Sequence, residues 1–196
     1  MMSNNVIQIV KTSLALFILL SLLTGLLYPL AIIGVVQTFI PDKADGSLLT
    51  ANGVVIGSDL IGQKFISPEY FHGRPSIVNY RANNSGASNL GPSSAKLKDK
   101  TQENLAAIRH ENMMPLDSSV PADLVLASGS GLDPHISIES ARLQASRVAR
   151  ARNISESDVQ NLINEQIEPP YLGILGQSRI NVLRLNLRLD RLGEVS

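Results

Sequence analysis

Residues 128–135, with the sequence SGSGLDPH, have the composition best suited to binding a ligand. Ser128, Gly129, Ser130 and Gly131 stand just before a predicted helix. Glycine lets the backbone approach a ligand closely, and a helix N-terminus favours anions. The segment lacks both the lysine of a P-loop and the GxGxxG dinucleotide fingerprint. Two interpretations stay open: a phosphate or other anion site, and a tight turn leading into the helix.

Ser130, Asp133 and His135 have the side-chain types of a nucleophilic triad. They are too close in the sequence to be arranged as one, and no GxSxG motif is present. The three histidines, at positions 72, 110 and 135, do not have the spacing of metal ligands. The sequence therefore predicts no catalytic residue and no metal site.

Gln144, Arg147 and Arg150 form a second group, at intervals of three in a helix predicted over residues 138–152. This spacing places them on neighbouring positions of one helix face. Guanidinium groups bind phosphates and carboxylates through paired hydrogen bonds, so the strip could receive a phosphate or the acidic side chains of a partner. The default alternative is an ordinary solvated face with local ion pairs.

The run from Thr12 to Ile40 contains 29 residues and no charge. As a helix it would be ~43 Å long, more than the ~30 Å of hydrocarbon in a bilayer. A secretory signal has a shorter apolar region, followed by a cleavage site that this sequence lacks. We predict a short N-terminal segment at 1–11, then an uncleaved transmembrane helix at 12–40. Within that helix, Gly25, Tyr28 and Pro29 are predicted to mark a kink.

The remainder, residues 41–196, is long enough for one soluble domain with its own core. The chain has no cysteine, which excludes a disulfide framework and a thiolate metal site. Its 17 basic residues balance 17 acidic ones, and tryptophan is absent. Neither a strong electrostatic field nor a stacking surface for nucleic acid is expected.

Periodicity and capping residues predict the elements of this domain. They are a strand at 54–57, an irregular stretch over 58–92, a helix from Ser93 or Ser94 to about Asn112, a short apolar element at 122–128, a helix at 138–152 capped by Ser137, a helix following Ser155, and a strand over 183–190. The last rests on the alternation of leucine with polar residues after Asn181. The predicted fold class is α+β: one transmembrane helix followed by one mixed domain.

Five stretches carry long and unusual motifs: GSDLIGQKFISPEYFHGRPS (57–76), NNSGASNLGPSS (83–94), ASGSGLDPHIS (127–137), ARLQASRVARAR (141–152) and LGQSRINVLRLNLRLD (175–190). In order and spacing, and together with the single N-terminal span, they resemble the C subunit of Kdp-type potassium-transporting ATPases. The resemblance covers essentially the whole chain.

This resemblance implies an accessory role in ATP-driven, high-affinity potassium uptake. Its partners would be a channel-like potassium-translocating subunit, a P-type ATPase catalytic subunit and a small single-span subunit. No cofactor would be bound tightly, potassium would be the transported ion, and ATP is implied as the nucleotide. The chain itself has no DKTGT phosphorylation motif, and one helix cannot form a pore. We therefore expect a non-catalytic subunit.

The resemblance also implies roles for particular residues. Members of the family are described as catalytic chaperones that raise the ATP affinity of the catalytic subunit, with a helix glutamine contacting the nucleotide. Gln144 stands at that position. Residues of the shared motifs are expected at subunit interfaces: Tyr70, Phe71, His72, Arg74, Asn89, Asp133 and His135.

Charges beside the span indicate its orientation. The α-amino group and Lys11 precede it and Lys43 follows it, so the positive-inside rule favours the N-terminus inside and the domain outside a bacterial cytoplasmic membrane. Gln144 could not then touch cytosolic ATP, which favours a role in assembly and in shaping the ion entrance. The alternatives are a membrane-tethered hydrolase using Ser130 and His135, and a tethered solute-binding domain using the glycine loop.

This orientation predicts the behaviour of reporter fusions. A reporter active only outside the cytoplasm, fused after Ser196, is expected to be active in cells. In the predicted orientation the domain lies outside the membrane, so a reporter joined to its C-terminal end lies outside as well. Activity of a cytoplasm-only reporter at the same site would reverse the topology and would make direct contact with ATP possible.

Overall fold

The computed structural model describes residues 4–51 and 53–193, and the chain divides into two compact units, residues 1–48 and 49–196. The helices are α1 (Asn4–Leu22), α2 (Tyr28–Phe39), α3 (Pro41–Ala44), α4 (Ala95–Glu111), α5 (Ala122–Val125), α6 (Ile138–Arg152), α7 (Glu156–Glu165) and α8 (Val182–Gly193). The strands are β1 (Leu48–Ala51), β2 (Val54–Ser58), β3 (His135–Ile136) and β4 (Ile180–Asn181). One apolar helix followed by a mixed domain confirms the predicted fold class.

The N-terminal unit is built around an apolar helix over Asn5–Phe39, 35 residues long, with none of its most apolar stretch buried. Its length and composition are sufficient to cross a membrane. Leucine, isoleucine, valine and phenylalanine side chains are exposed along most of α1 and α2. Such a surface is unfavourable in water and favourable in hydrocarbon, in agreement with the predicted span.

A π-helical turn, Leu23–Leu27, joins α1 to α2 just before Pro29. The N–H of Tyr28 donates to the carbonyl of Leu23, one residue further back than in an α-helix. Proline has no N–H and its ring crowds the preceding turn, so a wider turn relieves the helix at this point. A π turn therefore lies where the sequence predicts a kink, around Gly25, Tyr28 and Pro29.

Helices α6, α7 and α8 enclose the core of the domain. Ala141, Ala145 and Val148 on α6 are fully buried, and their small size lets the neighbouring elements approach closely. Val159 and Ile163 of α7 lie in the same cluster as residues of α8. The core also includes Phe71, from the long segment that has no regular secondary structure.

The start of α6 is held by two side chains. Ser137 caps the helix by accepting from the N–H of Ser140, as predicted. The carboxylate of Asp123, from α5, accepts from the N–H and hydroxyl of Ser137 and from the hydroxyl of Ser140. A negative side chain therefore already occupies the end of the helix that attracts anions. The predicted cap of α7 is also confirmed, because Ser155 accepts from the N–H of Asp158.

The strand predicted over 183–190 is wrong, because these residues lie in α8. Leu183 and Leu185 are buried, but so are Val182, Asn186 and Leu189, which are spaced as one face of a helix. Because one inward-facing residue is the polar Asn186, the pattern of hydrophobic residues does not show the helical period. The short pair β3–β4 is antiparallel, with Ile136 opposite Ile180.

The segment from Asp59 to Ser94 contains no helix or strand, in agreement with the irregular stretch predicted over residues 58–92. Strand β2 confirms the predicted strand, and α4 confirms the predicted helix, although the side chain of Ser94 does not cap it. Buried peptide groups in such a segment need hydrogen-bond partners from elsewhere in the fold. Those partners form the candidate site.

Candidate functional site

Two buried side-chain amides hold the centre of the YFHG motif. The amide of Asn186 accepts from the N–H of Phe71 at 2.8 Å and donates to its carbonyl at 3.0 Å. The amide of Gln144 does the same for His72, at 2.8 and 3.1 Å. Each amide thus binds one residue as a neighbouring β-strand would. We call this arrangement the amide clamp.

Gln144 has no remaining hydrogen-bonding capacity. Besides binding His72, its Nε2 donates to the carbonyl of Ser140 at 3.2 Å, and its Oε1 accepts from Arg147 at 2.7 Å. A carboxamide has two donors and accepts two bonds, so all four are used. With 1% of its surface exposed, the side chain is enclosed by the chain itself. The nucleotide contact stays a prediction and would require this amide to release its present partners.

Arg147 extends the clamp to the residues before Phe71. Its Nη1 donates to the carbonyls of Pro68 and Tyr70 at 2.5 and 3.0 Å, and its Nε donates to Asn112 at 3.2 Å. Burial lowers the pKa of Arg147, and the nearby carboxylate of Glu111 opposes this shift. An arginine has an ordinary pKa so far above neutral that it stays charged. A buried cation here binds main-chain oxygens rather than an external anion.

These contacts exclude the solvated-face alternative for two residues and bury the side chain of one expected interface residue. Gln144 and Arg147 do not lie on a solvated face, because both side chains are buried under the YFHG segment; only Arg150 is exposed, and it donates to Ser146. Phe71 is fully buried in the core, so its side chain is not available at a subunit interface in this structure. Sequence spacing identified the helix face but not the segment that covers it.

Arg152 and Asp190 hold the edge of the same segment. Arg152 donates to the carbonyl of Glu69 at 2.7 Å, pairs with Asp190 at 2.6 Å and lies over the ring of Tyr70, 4.8 Å from its centroid. Burial and the charge of Asp190 raise the pKa of Tyr70. Tyr70 is therefore neutral at physiological pH and half-buried, with part of its surface open to a partner.

Arg74, Asp133 and His135 come together in a second cluster. Arg74 pairs with Asp133 at 3.1 Å, and the His135 ring lies 3.5 Å from both Asp133 and Glu168. Burial raises the pKa of Asp133, but hydrogen bonds from His135 and Arg74 outweigh it and lower the pKa below its ordinary value. The cluster lines a cleft of about 570 Å³. Arg74 and Asp133 form an ion pair of the kind found in structural networks, while the buried Nε of Arg74 has no hydrogen-bond partner among the described residues.

The glycine-rich loop is fixed through its carbonyl groups. The carbonyl of Ser130 accepts from the N–H of Gly86 at 2.8 Å, and that of Gly131 accepts from the Ser76 hydroxyl at 2.6 Å. Gly131 has φ +69°, and a Cβ there would lie 2.8 Å from a methyl group of Val78. Glycine is required by this close packing. The structure therefore favours the tight-turn interpretation, and β3 separates the loop from α6.

The other predicted residues are placed separately. Ser128 is buried, Gly129 and Asn89 are exposed, and the Ser130 hydroxyl accepts from the N–H of Leu132. The hydrogen bonds of the described residues include none between Ser130 and His135, so a hydrolytic pair is not formed. Over residues 4–51 and 53–193, no three histidine, aspartate or glutamate side chains are grouped as metal ligands.

Asn186, Asn112 and Glu168 are site residues that the sequence reasoning missed. The alternation of leucine with polar residues places Asn186 on the polar face of a strand, whereas it is 1% exposed on the inner face of α8. The signal that could have found it is the apolar spacing of Val182, Leu185 and Leu189, which makes Asn186 the one polar member of a buried helix face. Asn112 and Glu168 follow helices and have no pattern of this kind.

Comparison with known proteins decides the family. The family model described as "KdpC: K+-transporting ATPase, c chain" matches residues 10–191. The chain belongs to the KdpC family. It is 50% identical over 183 residues to the potassium-transporting ATPase KdpC subunit of Cereibacter sphaeroides, covering 93% of this chain and 97% of that one. It is 50% identical over 182 residues to the KdpC subunit of Mycobacterium tuberculosis, covering 92% and 96%.

The match to the KdpC family covers the amide clamp, the ion cluster and nearly all of the apolar helix, since it runs from residue 10 to residue 191. The resemblance inferred from the five motifs is confirmed. Membership of the family fixes the class of protein, while the geometry shows what these motifs do within this chain. The polar side chains of these motifs fix the irregular segment from Asp59 to Ser94 against α6 and α8.

The amide clamp predicts that Gln144→Ala destabilises the domain by about 2–4 kcal/mol, because buried groups of His72 and Arg147 lose their partners. Arg150→Ala is the matched control on the same helix; its exposed side chain should change the free energy of unfolding by less than about 0.5 kcal/mol. Denaturation of the full chain in detergent, followed by circular dichroism, measures both. Equal stability of Gln144→Ala and wild type would contradict the clamp.

His72 predicts a pH dependence of stability. Burial, then the charge of Arg147, lowers its pKa in the folded chain, although the Ser67 carbonyl and Glu111 oppose the shift. The unfolded chain therefore takes up a proton near pH 6.5 while the folded chain does not, so the free energy of unfolding should fall as the pH drops through 6.5. His72→Gln should make this dependence shallower between pH 7.5 and 5.5, and His110→Gln, at an exposed position, should not. Identical profiles for His72→Gln and wild type would contradict the assignment.

Proposed function

We propose that this chain is an accessory, non-catalytic subunit of an ATP-driven potassium uptake complex, in which it assembles and stabilises the transport machinery. Its partners in this proposal are a channel-like potassium-translocating subunit, a P-type ATPase catalytic subunit and a small single-span subunit. Membership of the KdpC family supports this role, as does an apolar helix long enough to span a membrane.

One observation carries the proposal: the polar residues of the motifs bind the chain's own backbone. Gln144 uses all four of its amide hydrogen bonds within the chain, and both Gln144 and Asn186 bind a backbone N–H and carbonyl, which positions His72 and Phe71. An enzyme needs side chains that are free to act on a substrate. Here the same residues produce a segment of defined shape without regular secondary structure, which suits recognition of another protein.

The proposed location of the domain is outside a bacterial cytoplasmic membrane, with the N-terminus inside. Lys11 and the α-amino group lie on one side of the apolar run and Lys43 on the other. In this orientation the domain contributes to the outer face of the complex, near the ion entrance. Potassium is then the ion that the whole complex transports.

The effect on ATP affinity is proposed to be indirect. Direct contact would require Gln144 to release His72 and Arg147, leaving buried groups without partners. An accessory subunit can raise nucleotide affinity without touching the nucleotide, if it binds more tightly to the conformation of the catalytic subunit that binds ATP. The catalytic-chaperone role therefore requires no nucleotide site in this chain.

The proposal is tested by purifying the tagged full-length chain from detergent-solubilised membranes and identifying the chains that co-purify. We expect the channel-like and ATPase subunits, and we expect deletion of this chain to abolish high-affinity potassium uptake. Full uptake in the deletion strain would contradict an accessory role in transport.

A second measurement addresses catalysis. The purified full-length chain alone is expected to release no phosphate from ATP above background, since it has neither a P-loop lysine nor a phosphorylation motif. Phosphate release that Ser130→Ala abolishes would replace the accessory role with a hydrolase. Arg150→Ala is a suitable control, because that exposed side chain lies on α6, away from the glycine loop in sequence.

A further inference from the structure

The turn at residues 171–175, with the sequence YLGIL, exposes four large apolar side chains within five residues. The exposed fractions are 72% for Tyr171, 76% for Leu172, 80% for Ile174 and 58% for Leu175. Over residues 53–193 no other run of five exposes so many. Exposed apolar residues scattered singly are ordinary, whereas a contiguous cluster marks an interaction site.

This turn has a defined shape. The N–H groups of Tyr171 and Leu175 each donate to the other's carbonyl, at 2.9 and 3.0 Å. At its base Glu168 and Arg179 are bonded in the same way, at 2.8 and 3.0 Å. Pro169 and Pro170 stiffen one side of this stem. A protrusion fixed before binding loses little conformational entropy on docking.

The backbone of the turn is also strained. Leu172 has φ +54°, a conformation that favours glycine or asparagine and that a branched apolar residue adopts at a cost. Leucine is not required for the fold there, because three-quarters of its surface is exposed. A strained, exposed leucine is explained if the side chain is used in contact with something outside the chain.

The charges around the turn favour a protein over a lipid surface. Residues 169–178 contain no charged side chain. The arginines at the stem are already paired: Arg179 with Glu168 at 3.1 Å, and Arg184 with Asp59 and Glu168. Loops and helices that insert into bilayers commonly combine apolar residues with cations facing the anionic headgroups. Here no such unpaired cation accompanies the apolar turn in the described stem.

The area is also adequate for a protein interface. The four exposed side chains offer on the order of 500 Å², within the range of functional patches on monomers. One side of a standard interface buries about 800 Å², so the turn would supply more than half of it. Aromatic residues such as Tyr171 are enriched at the centres of interfaces.

We propose that the 171–175 turn is a docking knob that inserts into an uncharged, concave apolar pocket on a neighbouring subunit of the transport complex. The pocket is lined by aliphatic and aromatic side chains and has a polar group at its rim for the Tyr171 hydroxyl. This inference rests on the proposed function, since it names the surface by which the accessory subunit is held in the complex.

The test uses the full-length tagged chain co-expressed with the other subunits. Leu172→Asn/Ile174→Asn removes the apolar surface, and asparagine tolerates the left-handed backbone at position 172. We expect at least tenfold less of the other subunits recovered per tagged chain, with an unchanged or raised melting temperature of the chain. Met113→Asn/Leu116→Asn is the matched control, because both residues are highly exposed and Met113 also has φ +53°. It should leave recovery unchanged.

The outcomes separate the two proposals. Failure of the wild-type chain to recover any other subunit contradicts the proposed function. Equal recovery by wild type and Leu172→Asn/Ile174→Asn overturns only the docking knob. Loss of recovery in the control pair as well would overturn the assignment to this turn.

A second arm distinguishes lipid from protein. The chain has no cysteine, so Ile174→Cys can be labelled uniquely with an environment-sensitive dye. In nanodiscs containing the full-length chain alone, the dye should report a polar environment, and it should become apolar only when the other subunits are present. An apolar signal in nanodiscs without the other subunits would overturn the proposal in favour of the bilayer.

Discussion

The domain depends on one constraint: a buried segment without regular secondary structure must find hydrogen-bond partners for its own peptide groups. Helices and strands provide those partners internally, but the YFHG segment is neither. Asn186 and Gln144 replace the missing neighbouring strand, binding Phe71 and His72 through both the N–H and the carbonyl of each residue. Because the amides come from α8 and α6, the same bonds join the two helices to the segment and position Phe71 in the core.

This constraint explains why residues that resemble a ligand site are used structurally. An amide, a guanidinium and a glycine-rich loop can all bind phosphate, but they bind main-chain oxygens and N–H groups equally well. Arg147 donates to the carbonyls of Pro68 and Tyr70, and the glycine loop accepts from Gly86 and Ser76. The motifs that indicated the family thus include residues that shape the domain of this chain.

A domain whose amide clamp is satisfied internally interacts through the surface it presents. In this chain that surface includes the exposed apolar turn at 171–175, which is closed by backbone hydrogen bonds and has the Arg179–Glu168 ion pair at its base. The accessory role proposed for this chain needs affinity for partners and a stable shape rather than reactive groups. Among the described residues, the polar side chains of the amide clamp are hydrogen-bonded within the chain, and the exposed apolar side chains of the 171–175 turn are free to contact a partner.

The sequence by itself determined the features that depend on local composition. The uncharged run from Thr12 to Ile40 requires a helix, and Pro29 requires an irregularity within it, because these follow from length, hydropathy and the missing N–H of proline. Ser137 and Ser155 marked the starts of α6 and α7, because capping involves groups only three residues apart. The unusual motifs were sufficient to indicate the family.

Only the tertiary structure decided what those motifs contact. Gln144 and His72 are 72 residues apart, and Phe71 and Asn186 are 115 apart, so no local pattern could pair them. The residues 183–190 alternate as a strand would, yet they form a helix whose buried face includes Asn186, a polar residue whose amide binds the backbone of Phe71. Burial depends on the segment that covers a side chain, and that segment is specified elsewhere in the sequence.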